Sequence, residues 1–169
     1  MNRKTLKTFW GTWAAVLALA LGTLGIPSCS AGPGSEAAQD VDDFNLPSVS
    51  GKDFQLSEYK GKKPVLLYFW ATWCPACLEV KSHVVRLRRQ IGEERLEILA
   101  INVGTGDSFE RVKKYQTGHP MPWPVLYDQD GRVSSTYGIQ GIPLFILVNK
   151  DGRAVYRDHV PPPNPERYF

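Results

Sequence analysis

Apolar and polar positions divide the chain into short continuous apolar runs and one long helical stripe. Residues 64–70 form an uninterrupted apolar run, which is too short for an ordinary helix and is typical of a strand buried on both faces. From Cys77 to Ile91 the apolar residues recur at spacings of three and four, which predicts a helix with one buried face. The motif from Cys74 to Cys77 therefore lies where a buried strand runs into a helix.

The other apolar runs predict a mixed sheet. Residues 96–103 predict a second strand, and Asp107 or Ser108 caps a helix that ends near Gln116. A strand, a helix and a strand in this order indicate a right-handed crossover and a parallel pair. Short strands are expected at residues 122–128, 144–148 and 154–156, and a hairpin at residues 44–49 and 53–56. The sequence thus predicts an α/β fold with helices on both faces of a mixed sheet.

The position of the two cysteines suggests their chemistry. Cys74 would lie at the start of the helix, where unpaired backbone N–H groups and the macrodipole stabilise a thiolate and lower the pKa of the thiol. Pro75 suits the first helical position, because its missing N–H costs nothing there. Cys77 lies one turn further on, in the buried stripe, where it could attack a mixed disulfide formed on Cys74.

The rest of the chain offers little support for a metal or haem site at these cysteines. A structural zinc site needs a second Cys or His pair, but the only other cysteine is Cys29 and the histidines are scattered. We expect those histidines, His83, His119 and His159, to be surface residues. Haem attachment needs a His directly after the second Cys, where this chain has Leu78. A redox dithiol without a metal is the favoured interpretation.

Two segments resemble a known family. Residues 69–77, Phe-Trp-Ala-Thr-Trp-Cys-Pro-Ala-Cys, look like the active-site signature of thioredoxin-fold proteins, most of all the membrane-tethered, extracytoplasmic TlpA/ResA-like branch. Residues 137–143, Tyr-Gly-Ile-Gln-Gly-Ile-Pro, resemble the family segment that carries a cis-proline opposite the dithiol. The likeness runs from about Phe44 to about His159. It implies a thioredoxin fold with an N-terminal β-hairpin and a central insert, and thiol–disulfide oxidoreductase activity without a cofactor.

The resemblance also implies roles for individual residues. Cys74 and Cys77 would be the redox-active pair, and Trp73 a partly exposed wall beside them. Pro143, if cis, would pack on the sulfurs and leave the Ile142 backbone free to pair with an extended substrate segment. Trp73, Pro75, Ile142 and Pro143 together would form the substrate-binding surface. The implied partners are protein thiols and disulfides, with apocytochrome c as one candidate and a membrane electron donor.

The chain departs from the family at three places. Thioredoxins carry a buried acidic residue where this chain has Tyr68, and TlpA/ResA-like proteins often have Glu where it has Val80. Glu79 is one position early and points away from the apolar stripe, so Glu79 or a water molecule is considered as the proton shuttle. Relatives usually end in a helix, whereas prolines exclude one at residues 160–165. The sheet face must then be covered differently or be left for docking.

The N-terminus has the layout of a bacterial export signal: three basic residues, an apolar run near residues 13–26 and small residues around Cys29. Three interpretations compete: cleavage with lipidation of Cys29, plain cleavage after a small residue such as Ala31, or retention as a membrane anchor. Only lipidation gives Cys29 a role, and residues 26–29 resemble a lipoprotein signal. All three place the dithiol outside the cytoplasm, where disulfide chemistry is expected.

Charge and length limit the remaining possibilities. The basic residues Arg3, Lys4 and Lys7 account for the whole formal net charge of +3, so nothing suggests a nucleic-acid partner. The 169 residues fit one domain: a signal or anchor at 1–29, a flexible linker at 30–42, a thioredoxin-like domain at 43–160 and a Pro-rich tail at 161–169. A Sco-type copper chaperone and a peroxide-reducing redoxin remain alternatives. The former normally separates its cysteines by three residues, and the latter needs a lone cysteine preceded by Thr.

Overall fold

A six-stranded mixed sheet is the centre of the computed structural model, which describes residues 39–169. The strands are β1 (Gln39–Asp40), β2 (Asn45–Pro47), β3 (Asp53–Gln55), β4 (Val65–Trp70), β5 (Glu97–Asn102), β6 (Val125–Tyr127), β7 (Leu144–Val148) and β8 (Arg153–Asp158). The helices are α1 (Pro75–Ile91), α2 (Phe109–Gly118) and α3 (Arg132–Thr136). Within this part of the chain, no helix combines the length and the apolar character that are needed to cross a bilayer.

Strand β4 occupies the middle of the sheet, whose order is β1-β8-β7-β4-β5-β6. It pairs in parallel with β5 and antiparallel with β7, and all six of its residues are buried. This burial explains its unbroken apolar sequence, because neither face of the strand meets water. The predicted parallel crossover and the predicted thioredoxin fold are both confirmed.

Helices cover both faces of the sheet. The Tyr68 hydroxyl contacts α1, and the Trp70 ring lies 5.3 Å from the ring of Tyr115 in α2. Because alternate residues of a strand point to opposite faces, α1 and α2 lie on the Tyr68 face. Phe69 points to the other face, where its ring contacts Tyr137 at the end of α3. The predicted hairpin, β2 with β3, joins the domain through a bridge between Ser48 and Leu126.

Helix α3 was not predicted from the sequence, which indicates only a turn before Arg132. It begins after Gly131, whose φ of 65° is in the left-handed region. The buried carboxylate of Asp128 accepts hydrogen bonds from the backbone N–H groups of Val133 and Ser134, at 3.2 and 2.7 Å. With only five residues, α3 is too short to show a helical stripe, and its start depends on this buried cap.

The predicted linker is wrong at its C-terminal end. Gln39 and Asp40 form β1, which pairs antiparallel with Ala154 and Arg153 of the edge strand β8. The backbone N–H of Val41 then donates to the carbonyl of Gly152 at 3.2 Å. Backbone pairing with an exposed edge needs no apolar side chains, so the composition of the segment did not reveal it. The sheet therefore includes residues that the prediction assigned to a flexible linker.

The Pro-rich tail packs against the domain and does not form the C-terminal helix that the resemblance implies. Pro165–Tyr168 forms a 3₁₀ turn in which Pro165 is buried, and the Tyr168 ring contacts the ring of Tyr156 in β8. Glu166 forms an ion pair with Arg95 at 2.6 Å. The prediction that residues 160–165 form no α-helix is confirmed, and the tail covers part of the sheet face that carries Tyr156.

Candidate active site

The two cysteines lie at the junction of β4 and α1, as predicted, and are joined by a disulfide with an S–S distance of 2.11 Å. Cys74 is the N-cap of α1, where its Sγ accepts a hydrogen bond from the backbone N–H of Cys77 at 3.1 Å. Pro75 occupies the beginning of the helix. Both cysteines are buried in this oxidised form, with exposed fractions of 4% for Cys74 and 2% for Cys77.

The same helix start can stabilise a thiolate once the disulfide is reduced. The Cys77 N–H that now contacts Cys74 Sγ is one of the unpaired donors at a helix N-terminus. The first turn of α1 contains no acidic residue that would oppose a negative sulfur. These two features favour the thiolate of Cys74 over that of Cys77, which lies one turn inside the helix.

A loop that we call the proline loop, residues 141–143, faces the dithiol from the start of β7. The peptide bond between Ile142 and Pro143 is cis, as the family resemblance implies. The Ile142 carbonyl oxygen lies 3.8 Å from Cys74 Sγ, and the Pro143 side chain is buried. The structure thus brings together Cys74 and Ile142, which are 68 residues apart in the sequence, by placing β4 and β7 side by side.

Trp73 lies beside the sulfurs with 52% of its surface exposed. Its indole N–H donates to the carbonyl of Thr105 at 2.8 Å, so the ring is fixed although it faces solvent. Gly106, with a φ of 74°, lies under the ring, and a Cβ at this position would be only 2.8 Å from Trp73 Nε1. Pro75 and Leu78 are also exposed, and Leu78 extends the apolar rim around the dithiol.

A buried carboxylate behind the dithiol was missed by sequence reasoning, which considered Asp107 only as a helix cap. Ser108 is the cap of α2, and the Asp107 side chain is fully buried. It accepts hydrogen bonds from the Thr72 backbone N–H at 2.8 Å, from Asn102 Nδ2 at 2.7 Å and from the Thr72 hydroxyl. Asp107 therefore fixes the residue that precedes Trp73 and Cys74. Its position beyond the carboxyl end of β5, next to that of β4, could have indicated a role at the site.

Tyr68 occupies the place of the buried acid in thioredoxins, but it cannot serve as a base. Its hydroxyl donates to the carbonyl oxygen of Cys77 at 2.8 Å. Burial raises the pKa of Tyr68 well above its ordinary value, and nearby Tyr115 adds to the shift. The hydroxyl therefore stays protonated near neutral pH and holds the first turn of α1 against the sheet.

Glu79, the other proton-shuttle candidate, is exposed. It follows Cys77 by two residues on α1, which places it about 200° around the helix from that cysteine. The structure does not bring its carboxylate to the sulfurs. His159 is exposed, as predicted, but its ring also contacts the carbonyl of Pro143 in the proline loop.

Two further predictions concern lipidation and metal binding. Cys29, the predicted lipidation site, lies outside the described residues. Among residues 39–169, no group of three His, Cys, Asp or Glu side chains is arranged to hold a metal ion.

Comparison with known proteins finds relatives over the part of the chain that contains this site. Residues 37–157 match the model of the AhpC/TSA family. The chain belongs to this family. A curated relative, the thiol-disulfide oxidoreductase ResA of Bacillus thuringiensis subsp. konkukian, is 30% identical over 120 residues, which are 71% of this chain and 68% of ResA. The family match covers the dithiol, the proline loop and the sheet between them.

Solved structures of other proteins share this fold. The exposed lipoprotein thioredoxin Etrx1 of Streptococcus pneumoniae superposes with a TM-score of 0.62 and 31% identity, over 69% of this chain and 88% of Etrx1. A structure from Chlorobium tepidum, assigned as the thiol:disulfide interchange protein DsbE, gives a TM-score of 0.67 at 23% identity, over 79% and 93% of the two chains. Together with the Cys74–Cys77 disulfide, the relatives identify the chain as a thiol–disulfide oxidoreductase.

Proposed function

We propose that the protein exchanges thiols and disulfides with exported proteins, with Cys74 as the attacking thiolate and Cys77 as the resolving thiol. The observation that carries this proposal is the asymmetry of the pair. Cys74 Sγ lies at the helix start and next to the carbonyl of Ile142, whereas Cys77 lies one turn inside the buried face of α1. Cys74 Sγ is therefore positioned to react with a substrate, and Cys77 Sγ is positioned to react with Cys74 Sγ.

Each turnover moves two electrons. In the reducing direction, the Cys74 thiolate attacks one sulfur of a substrate disulfide, and the other substrate sulfur leaves as a thiolate. The Cys77 thiolate then attacks Cys74 Sγ in this mixed disulfide and releases the second substrate thiol. The protein is left with the Cys74–Cys77 disulfide and the substrate is reduced. A dithiol donor must return the pair to the reduced state, and we propose a membrane electron donor for this step.

The surface around the sulfurs fits an extended polypeptide. Trp73 and Pro75 are exposed on one side of the dithiol, and the half-buried Ile142 lies on the other, next to Pro143. The Ile142 backbone offers a place for an extended segment to pair by main-chain hydrogen bonds. Exported proteins with cysteine pairs, apocytochrome c among them, combine an extended polypeptide segment with a disulfide that Cys74 could attack.

The two alternative functions fit the site less well. A copper chaperone of Sco type needs a third ligand close to the cysteines, and the described residues provide none. A peroxide-reducing site needs a lone cysteine preceded by Thr, whereas Cys74 follows Trp73 and is bonded to Cys77.

The proposed reaction can be tested with a synthetic peptide that contains an oxidised Cys-Xaa-Xaa-Cys-His segment. The reduced protein should convert the peptide disulfide to two thiols and itself gain the Cys74–Cys77 disulfide, in a ratio of one peptide to one protein, as mass spectrometry after alkylation would show. Replacing Cys29 should not affect this reaction. A reduced protein that leaves both this peptide and small disulfides untouched would rule the proposal out.

We further propose that a lipid on Cys29 anchors the protein outside the cytoplasm. One acyl chain binds a membrane only marginally, whereas two or more hold a protein stably. Cys29→Ala should therefore block lipidation and processing and alter the localisation of the protein, without affecting the dithiol. An intact mass with a diacylglyceryl or triacyl adduct on a chain that starts at Cys29 would support lipidation. An unmodified chain that starts at Met1 would show instead that the apolar segment is retained.

A further inference from the structure

The proline loop is held from the side of β8 as well as from the dithiol. Backbone pairing between β7 and β8 ends at Phe145 and Asp158. Just beyond this pair, Nδ1 of the His159 ring lies 2.7 Å from the carbonyl oxygen of Pro143. Because a carbonyl oxygen can only accept, the Nδ1 atom must carry the proton. The imidazole therefore continues the contact between the two strands by one hydrogen bond.

The same ring also packs along the loop. A Cβ on Gly141 would lie 3.5 Å from Cε1 of His159, so the ring lies beside Gly141 as well as Pro143. The His159 backbone N–H donates to Oδ1 of Asp158 at 2.6 Å, which fixes the backbone from which the ring extends. On its other side, the loop faces Cys74 through the carbonyl of Ile142. The loop is thus held between the dithiol and the imidazole.

A side chain of β8 itself also supports the segment that leads into this loop. Nη2 of Arg157 donates to the carbonyl oxygen of Gly138 at 3.0 Å. Residues 138–143 are therefore contacted at both ends, by Arg157 of β8 at the beginning and by His159, which follows the strand, at the end. The part that would meet a substrate, Ile142, lies between these two contacts.

We propose that His159 is a positioning residue for polypeptide substrates, because its Nδ1–H holds the proline loop through the Pro143 carbonyl. This inference rests on the proposed function, since it assumes that substrates pair with the backbone of Ile142. It predicts that His159 affects exchange with polypeptides more than exchange with small disulfides. A small disulfide needs only to reach Cys74 Sγ and does not pair with the loop.

The test compares His159→Ala, His159→Asn and a control, His83→Ala, which removes an exposed imidazole from α1. The Asn side chain places an amide N–H at the same number of bonds from Cα as His Nδ1, so it can restore the bond. Single-turnover oxidation of each reduced protein is measured with the oxidised Cys-Xaa-Xaa-Cys-His peptide and with hydroxyethyl disulfide. Thermal melting of each variant confirms that it is folded.

His159→Ala should react with the peptide about three- to tenfold more slowly, which is the range expected for one net hydrogen bond, and with hydroxyethyl disulfide at the wild-type rate. His159→Asn should recover most of the peptide rate, and His83→Ala should match the wild type in both reactions. A His159→Ala protein that is unchanged with the peptide, or slowed equally with both disulfides, would overturn this inference alone. A wild-type protein that reacts with hydroxyethyl disulfide but not with the peptide would overturn the proposed function and the inference together.

Discussion

Cys74→Ser should abolish thiol–disulfide exchange, whereas Cys77→Ser should give a protein that accumulates mixed disulfides with its substrates. The difference follows from geometry: Cys74 Sγ lies at the start of α1 beside the Ile142 carbonyl, and Cys77 lies inside the helix on its buried face. Without the first thiolate no bond to a substrate can form. Without the second, the bond forms but nothing resolves it.

These outcomes can be followed on non-reducing gels and by peptide mass mapping, with the oxidised Cys-Xaa-Xaa-Cys-His peptide as the substrate. In the reduced wild-type protein, limiting iodoacetamide should label Cys74 before Cys77, because the helix start favours the Cys74 thiolate. Cys29→Ala serves as the control that removes a cysteine from outside the site. If Cys77 is labelled first, or if Cys74→Ser is the variant that traps the peptide, the assigned roles are reversed.

Asp107→Ala should destabilise the protein by about 2–4 kcal/mol, because it leaves buried donors without an acceptor. The Asp107 carboxylate accepts from the Thr72 backbone N–H and hydroxyl and from the Asn102 side chain, and it is fully buried. The variant should also slow the alkylation of Cys74, since the segment before this cysteine loses its attachment to the loop after β5. Urea denaturation measures the first effect, and the iodoacetamide reaction measures the second.

The matched control is Asp130→Ala, which removes an exposed carboxylate whose bond to the Arg132 backbone N–H is local. It should change the free energy of unfolding by no more than about 0.5 kcal/mol. Asp107→Asn should have a stability between those of the wild type and Asp107→Ala. Its amide oxygen can still accept a hydrogen bond, but its amide N–H₂ group is a donor that would face the donors of Thr72 and Asn102. An Asp107→Ala protein as stable and as reactive as Asp130→Ala would show that the carboxylate does not support the site.

The elements that bury apolar side chains were predictable from the sequence. Strand β4 and helix α1 show the two hydrophobic periods clearly, and the dithiol lies at the change from one period to the other. Helix α3 and strand β1 were not predictable in this way. The first depends on the buried carboxylate of Asp128, and the second on backbone pairing with an exposed edge.

Some residues of the candidate site were predictable from the sequence and others were not. The spacing of the cysteines at the strand–helix junction indicated the dithiol, and Pro143 was indicated only by the family resemblance. Asp107 and His159 were missed as parts of the site, since their partners lie 35 and 16 residues away in the sequence and only the sheet brings them together. Glu79, considered because it lies one position before the place where the resemblance implies a Glu, is exposed, in agreement with its predicted direction away from the buried stripe.

A redox titration of the purified protein tests the central claim most directly. The protein is equilibrated with mixtures of reduced and oxidised glutathione, and the free thiols are alkylated and assigned to Cys74 and Cys77 by mass mapping. We predict a single two-electron transition in which both thiols disappear together as an intramolecular disulfide forms. A potential near that of thioredoxin would indicate a reductant, and one near that of DsbA an oxidant. If no ratio of glutathione produces the Cys74–Cys77 disulfide, the protein is not the oxidoreductase described here.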